Sequence, residues 1–271
     1  MSSAYAVGKV KKILRCPCGH MGTLDPMASG VLPVGIGKAS RLFDYMLDKE
    51  KTYVAHFRFG VLTDTLDITG QTEKTSDVIP KKEQIDLAVK NFIGEIDQVP
   101  PNYSAKCVDG KRGYQLARNG VEFTLPPKKV TVLDFKCIRQ ISDTDFEFVI
   151  KCKGGTYIRS LARDLGLSLG TYAVMSSLDR TECGVFNYQN GISVQDLQTI
   201  EDVESNLIKA EDTVNFEKIV LTELQAQKIL NGLYDNLGYK DGVYRVYNQN
   251  AFWGVGISKD GILKIKSYVR E

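Results

Sequence analysis

Gly19-His20-Met21-Gly22-Thr23-Leu24-Asp25-Pro26-Met27-Ala28-Ser29-Gly30 is the stretch on which the reading of this 271-residue chain turns. Glycines on both sides of an Asp-Pro pair permit tight turns and close approach of a ligand to the main chain. Pro26 forces Asp25 into an extended conformation. An isolated Asp-Pro is most simply a turn whose Asp caps a nearby amide. The regular setting of Gly, His, Leu and Gly around this one asks for more than a capped turn.

Upstream, Ser2 or Ser3 caps a predicted helix over about residues 4–14. Val7, Val10, Ile13 and Leu14 recur there at helical spacing, with Lys9, Lys11 and Lys12 on the other face. Residues 16–26 carry the Pro, Gly and Asp of a loop. Downstream, 31–36 reads as a short buried strand and 39–47 as a helix. Residues 51–59 alternate, with Tyr53, Ala55, Phe57 and Phe59 on one face, which predicts a strand. Helical spacing returns at 81–93. Strands are expected near 103–108, 129–140 and 145–153, with helices near 111–119 and 157–169. Hairpin-like strands mixed with separate helices predict an α+β fold with a mainly antiparallel sheet, not a βαβ repeat.

The acidic stretch 194–216 is expected to hold short helices. A helix at about 222–231 and strands at 243–247, 251–257 and 262–268 then predict a small β-barrel-like module. The expected division is a main domain over 1–214 and the module over 215–271.

Composition narrows the function. Hydrophobic residues at 43% and charged residues at 25% exclude disordered, collagenous and disulfide-scaffold chains. No apolar run reaches the length of a membrane span, so no membrane partner is expected. The amphipathic, lysine-rich start has no apolar signal core, and the six scattered cysteines suit free thiols; both point to the cytoplasm. Two histidines exclude a three-histidine metal site. Cys16-Pro17-Cys18-Gly19-His20 lacks the second ligand pair of a zinc site, because the other four cysteines are isolated, and no metal is expected. Gly35-Ile36-Gly37-Lys38 fails as a phosphate loop: Ala39 follows the Lys, and Leu32 stands where the first Gly belongs. With no dinucleotide fingerprint either, no cofactor is expected. The net charge of +2 hides an alternation, from nine Lys/Arg against four Asp/Glu in residues 1–60 to two against nine in 181–225. Such segments fold into a basic face for a polyanion or into ordinary solvated surface, and counting alone does not separate the two.

The 19–30 stretch resembles the G-H-x-G-x-L-D-P-x-A-x-G signature of the tRNA pseudouridine synthase B (TruB) family. Further blocks follow in the family's order. Gly60-Val-Leu-Thr63-Asp64-Thr65-Leu-Asp67-Ile-Thr-Gly70 is similar to the second. Gln98-Val-Pro100-Pro101-Asn-Tyr103-Ser104-Ala105, running on to Gly110, Tyr114, Arg118 and Gly120, is similar to the third. Gly155-Thr156-Tyr157-Ile158-Arg159-Ser160-Leu161 is similar to the fourth, and Leu178 to Phe186 to the block that closes the catalytic domain. The tail from about 217 resembles, more weakly, a PUA-type RNA-binding module.

The resemblance implies the pseudouridine synthase fold and isomerisation of a uridine in the tRNA T-loop, position 55, to pseudouridine. It implies a cofactor-free enzyme that needs no obligatory protein partner and works as a monomer on the T-loop and stem. Asp25 is then the nucleophile, which suits chemistry that cuts a base from its ribose without redox change. Tyr53 stacks on the flipped base and assists proton removal, and Arg159 holds Asp25 ionised. His20 inserts among the T-loop bases, and Leu178 walls the uridine pocket. Lys106, Lys111, Arg112 and Arg118, with Lys9, Lys11, Lys12, Lys128 and Lys129, are expected to meet phosphates. The chain departs from the pattern in three places. The family's opening K-P-x-G strand motif is reduced to its last Ser, a usual Lys is Cys107, and the common Leu-Arg-Arg reads Leu178-Asp179-Arg180. The other reading, from a different class, is an RNA-binding or folding module in which catalysis is secondary; a synthase acting on another RNA is the alternative within the enzyme class.

Overall fold

The Lys51–Phe59 strand buries Lys51, Tyr53, Ala55, Phe57 and Phe59, every second residue, as its alternation predicts. It lies at the centre of an antiparallel sheet, flanked by Asp145–Cys152 on one side and Ala173–Cys183 on the other. Lys128–Gln140 and then Gly94–Gln98 continue the sheet beyond Asp145–Cys152. Ser29–Gly30 adds a short parallel pairing opposite Asp179 and Arg180. The computed structural model describes the chain except residues 48, 104–106, 109–110, 113–124, 235 and 271, and the side chains of 47, 107, 108, 111 and 112. This sheet belongs to a unit formed by Met27–Gly30 and Lys49–Cys183; a second unit gathers Met1–Pro26, Val31–Asp48 and Gly184–Glu271. The α+β, mainly antiparallel architecture is the expected one.

The sheet's core carries stacked rings, with Phe57 and Phe148 centred 4.6 Å apart and Phe135 edge-on to Phe57 at 6.2 Å. Ile85 and Val89 cover them from the Lys82–Ala88 helix and the 3₁₀ turn after it. Leu161, Ala162 and Leu165 do so from the Ile158–Ser168 helix. Gly166 allows this helix its close approach: a Cβ there would lie 2.5 Å from the amide nitrogen of Ala173.

Two strands of five residues or more in this sheet are not legible in the sequence. Ala173–Cys183 shows no clean alternation because bulges between Met175 and Ser177, and between Arg180 and Glu182, reset its inward face twice. Gly94–Gln98 is a short, polar edge strand. The helix predicted near 111–119 is also corrected at its start. Lys111–Arg112 pairs antiparallel with Cys107–Val108 as a strand, and residues 113–119 lie outside the described ones.

Asp145 sits nearly buried at the sheet margin, where it accepts hydrogen bonds from Arg58 at 3.0 Å, Ser176 at 2.9 Å and Thr144 at 3.1 Å. Burial works against its charge, but these donors outweigh it and hold the carboxyl below its ordinary value near 3.8. A folded pKa below the unfolded one gives stability that is present above the unfolded value and lost as pH falls through the folded one. Thermal melts across about pH 5 to pH 2 should therefore fall more steeply for the natural protein than for Asp145→Asn. Parallel curves would assign no stability to this cluster.

In the other unit, helix Ser3–Leu14 begins where Ser2 Oγ accepts the Tyr5 amide at 3.1 Å, and ends at Arg15 in left-handed backbone. Cys18–His20 forms a short antiparallel pair with Val34–Ile36, within residues that read as loop. The helix expected at 39–47 is a 3₁₀ turn, Gly37–Leu42, running into Phe43–Leu47. A five-stranded sheet follows the order Glu217–Leu221, Gly242–Asn248, Ala251–Lys259, Gly261–Tyr268, Asn236–Tyr239, around Trp253, Val246 and Leu263. Met21, Leu42 and Met46 pack with Val214 and Val255. Ser267 Oγ donates to the Arg41 carbonyl at 2.9 Å, and Arg41 donates to the Tyr268 carbonyl at 3.0 Å.

Candidate active site

The Gly60–Gly70 stretch folds into a turn built around the carboxylate of Asp67. Thr65 Oγ1, at 2.8 Å, and the amide and hydroxyl of Thr69, at 3.0 and 2.5 Å, all donate to its Oδ1. Thr63 Oγ1 donates to the Asp67 carbonyl at 2.7 Å. The turn is tight enough that a Cβ at Gly70 would lie 2.3 Å from Asp64 Oδ1, the atom that accepts the Gln71 amide at 2.8 Å. Asp64 Oδ2 accepts the Tyr103 hydroxyl at 3.4 Å.

Arg159 reaches into this turn from the first turn of the Ile158–Ser168 helix and is only 7% exposed. Its guanidinium donates to the carbonyls of Thr65 and Tyr103, at 3.0 and 3.1 Å, and stands 3.6 Å from Asp67 Oδ2. Three separated motifs thus meet on one buried cation. The start of the helix is fixed too: the Tyr157 amide donates to Gln98 Oε1 at 2.8 Å, and Gln98 Nε2 donates to the Tyr157 carbonyl at 3.1 Å. Arg159 is legible in the sequence as a site residue, whereas Asp64, Asp67 and Tyr103 show no role there. Closely spaced Asp and Thr before a Gly signal a hydrogen-bonded turn, but nothing local says which distant arginine it holds.

Tyr53 is buried opposite Ile150 on one side and Arg180 on the other. Burial raises its pKa well above the usual tyrosine range, with Cys152 adding to this. The hydrogen bond from Arg180, itself 2% exposed, opposes the shift without reversing it. At neutral pH Tyr53 is a phenol, able to stack and to donate a hydrogen bond; acting as a proton acceptor would require an ionisation that this burial disfavours. Arg180 is a second functional candidate missed in the sequence, because the register that sets it against Tyr53 is not visible there. Leu178 lies opposite Ala55, in the same apolar cluster as Tyr53. Asp179, where the common pattern has Arg, accepts the Ser29 hydroxyl at 2.6 Å. Gly30 must be Gly: its φ is +110°, and a Cβ would meet the Arg180 carbonyl oxygen at 2.3 Å.

His20 and Asp25 belong to the other unit. His20 ends the Cys18–His20 strand opposite Val34, and its Nδ1 is buried with no hydrogen-bond partner among the described residues. Asp25 is half-buried, and the loop leading to it is strapped down: the Leu24 amide donates to Ser3 Oγ at 3.1 Å, and the Met21 amide to the Pro33 carbonyl at 2.8 Å. Two lysines expected at phosphates have protein partners in this structure. Lys9 donates to the Val194 carbonyl at 2.5 Å, and Lys129 pairs with Glu95 at 2.6 Å. Lys106 and Arg118 lie outside the described residues, and of Lys111 and Arg112 only the backbone strand is described. Among the described residues no helix is long and apolar enough to cross a membrane.

The fold is that of pseudouridine synthases. The chain superimposes with a TM-score of 0.71 on a solved chain from the crystal structure of a Cbf5-Nop10-Gar1 complex, at 27% identity, covering 98% of this chain and 76% of that one. The family model described as TruB family pseudouridylate synthase (N terminal domain) matches residues 10–158, and tRNA pseudouridylate synthase B C-terminal domain matches 159–222. A tRNA pseudouridine synthase B of Clostridium perfringens (strain 13 / Type A) is 38% identical over 275 residues, covering 98% of this chain and 92% of its own. One from Caulobacter vibrioides is 41% identical over 201 residues, covering 74% of this chain and 65% of its own. The chain belongs to the TruB family of pseudouridylate synthases.

Proposed function

We propose that this chain isomerises a uridine in the T-loop of tRNA to pseudouridine, with Asp25 as the nucleophile and without a cofactor. The Asp25 carboxylate attacks the ribose as the bond from sugar to base nitrogen breaks. The freed base turns, its C5 bonds to the sugar carbon as the bond to Asp25 breaks and the carboxylate is released, and the C5 proton is lost while the old nitrogen gains one. Atoms and charge balance without any co-reactant. The target base leaves its stack before reaction, a cost of a few kcal/mol that aromatic stacking offsets. Tyr53 supplies that stacking face, and its phenol donates a hydrogen bond. Arg159 fixes the turn around Asp67 and adds positive charge. Leu178 walls the uridine pocket, and His20 takes the place of displaced loop bases.

Lys106, Lys111, Arg112 and Arg118 bind phosphates, residues 215–271 act as a PUA-like module adding affinity, and residues 1–214 supply the chemistry. The protein works in the cytoplasm, as a monomer, on tRNA alone. The observation that carries this reading is the assembly of three motifs, from Thr65, Tyr103 and Arg159, on one buried guanidinium. A phosphate-binding surface has no use for a buried cation held in this way. The experiment is pseudouridine mapping on unmodified tRNA after incubation with purified protein. A single new pseudouridine in the T-loop is expected. Modification elsewhere would reassign the substrate, and none at all would leave an RNA-binding module.

A further inference from the structure

Cys16 and Cys18 stand immediately before the strand that carries His20. The Ser3–Leu14 helix stops at Arg15, whose φ of 52° turns the chain, and Cys16 lies in a bend before Pro17 and the Cys18–His20 strand. This bend brings the two thiols together with Sγ atoms 4.0 Å apart, and Cys18 Sγ donates to the Cys16 carbonyl at 3.5 Å. The Pro17 carbonyl between them accepts the Gly37 amide at 2.7 Å, which pins the segment from the other side. Both cysteines are half-buried and open to a small reagent, whereas Cys137, Cys152 and Cys183 are buried. Among the described residues no three or more His, Cys, Asp or Glu gather as a metal site, so the pair's own chemistry is that of a dithiol.

We propose that Cys16 and Cys18 are a reversible thiol–disulfide pair, closed by exchange with a low-molecular-weight disulfide such as oxidised glutathione. Burial and the neighbouring Cys16 push the Cys18 thiol up to about 11, so the first attack falls to Cys16. Its thiolate attacks the small disulfide, forming a mixed disulfide and releasing one small thiol. Cys18, as it loses its proton, attacks the Cys16 sulfur and releases the second. The two protons lost by the cysteines end on the two released thiols. The protein is oxidised by two electrons, and the small disulfide is reduced by two. A disulfide across one intervening residue closes a small ring, and strained, exposed disulfides are the readily reduced, regulatory ones.

Closure must bring sulfurs now 4.0 Å apart to about 2.05 Å. Part of that movement falls on Cys18, the first residue of the strand whose register is Cys18 with Ile36 and His20 with Val34. Oxidation therefore loads the segment that runs on to Asp25. On the reading of the chain as a uridine isomerase, it lowers turnover by roughly ten- to a hundredfold, the usual cost of displacing a reacting group by about 1 Å.

The test equilibrates the full chain with glutathione buffers of rising oxidised fraction, quenches with acid and digests with trypsin. The expected tryptic peptide, residues 16–38, follows Arg15, ends at Lys38 and contains Cys16 and Cys18 with no third cysteine. It should become lighter by two hydrogen atoms under oxidising buffer and regain them under reducing buffer. Cys16→Ser and Cys18→Ser should each stop at a mixed disulfide. A peptide that keeps two free thiols, or only accumulates glutathione adducts, overturns the pair. Single-turnover isomerisation should fall on oxidation in the natural protein and stay unchanged in the double variant; an unchanged rate in fully closed protein overturns the coupling. Should the reduced protein form no pseudouridine, the isomerase reading falls, and the peptide mass still decides the dithiol.

Discussion

Asp25→Asn lowers single-turnover pseudouridine formation by roughly 10⁴-fold or more, in a protein that still folds and still binds tRNA. Asparagine keeps the size and the hydrogen-bonding capacity of the side chain and removes only the charge that the proposed nucleophile needs. Affinity for tRNA should change little, because phosphate contacts elsewhere supply most of it, and loss of a negative charge beside RNA tightens binding if it acts at all. The loop itself should survive, since its anchors are the Leu24 amide on Ser3 and the Met21 amide on the Pro33 carbonyl. The deciding measurement is single-turnover modification of a T-loop RNA, with folding followed by circular dichroism. If Asp25 only capped a turn, the substitution would cost at most about 2 kcal/mol of stability and leave folded protein active. Full activity in folded Asp25→Asn protein would remove the proposed chemistry.

Asp67→Ala carries the largest expected effect on stability, about 3–5 kcal/mol, because it takes the carboxylate away from a buried cation. Arg159 is 7% exposed and stands 3.6 Å from Asp67, too deep for water to replace the lost charge freely. The same substitution strands the donors of Thr65 and Thr69 that now end on Asp67 Oδ1. Asp67→Asn keeps an acceptor for those donors and should cost distinctly less than Ala. Urea denaturation gives both midpoints, and an unchanged slope shows that the unfolded state is the same. A loss below about 1 kcal/mol for the Ala variant would mean that the carbonyls of Thr65 and Tyr103 hold the guanidinium by themselves.

Features whose causes lie within a few residues are legible in the chain alone. Ser2 caps the first helix because a serine hydroxyl sits within reach of an amide three residues on. Tyr53, Ala55, Phe57 and Phe59 predict the central strand because alternation along one strand is enough to bury one face. The motif order from Gly19 to Phe186 named the family, and with it Asp25, Tyr53 and Arg159, before any partner of these residues was visible. Tertiary structure decided what surrounds them. The Arg159 contacts come from Asp67 and Tyr103, and the Tyr53 hydroxyl meets Arg180 across a strand whose bulges erase the alternation that would have revealed it. Lys9 was legible as a charge on a helix face, but not as the donor to a carbonyl at Val194. The physical reason is the same in each case: spacing along the chain fixes which face a side chain occupies, while register and chain closure over 56 to 185 residues fix what it meets.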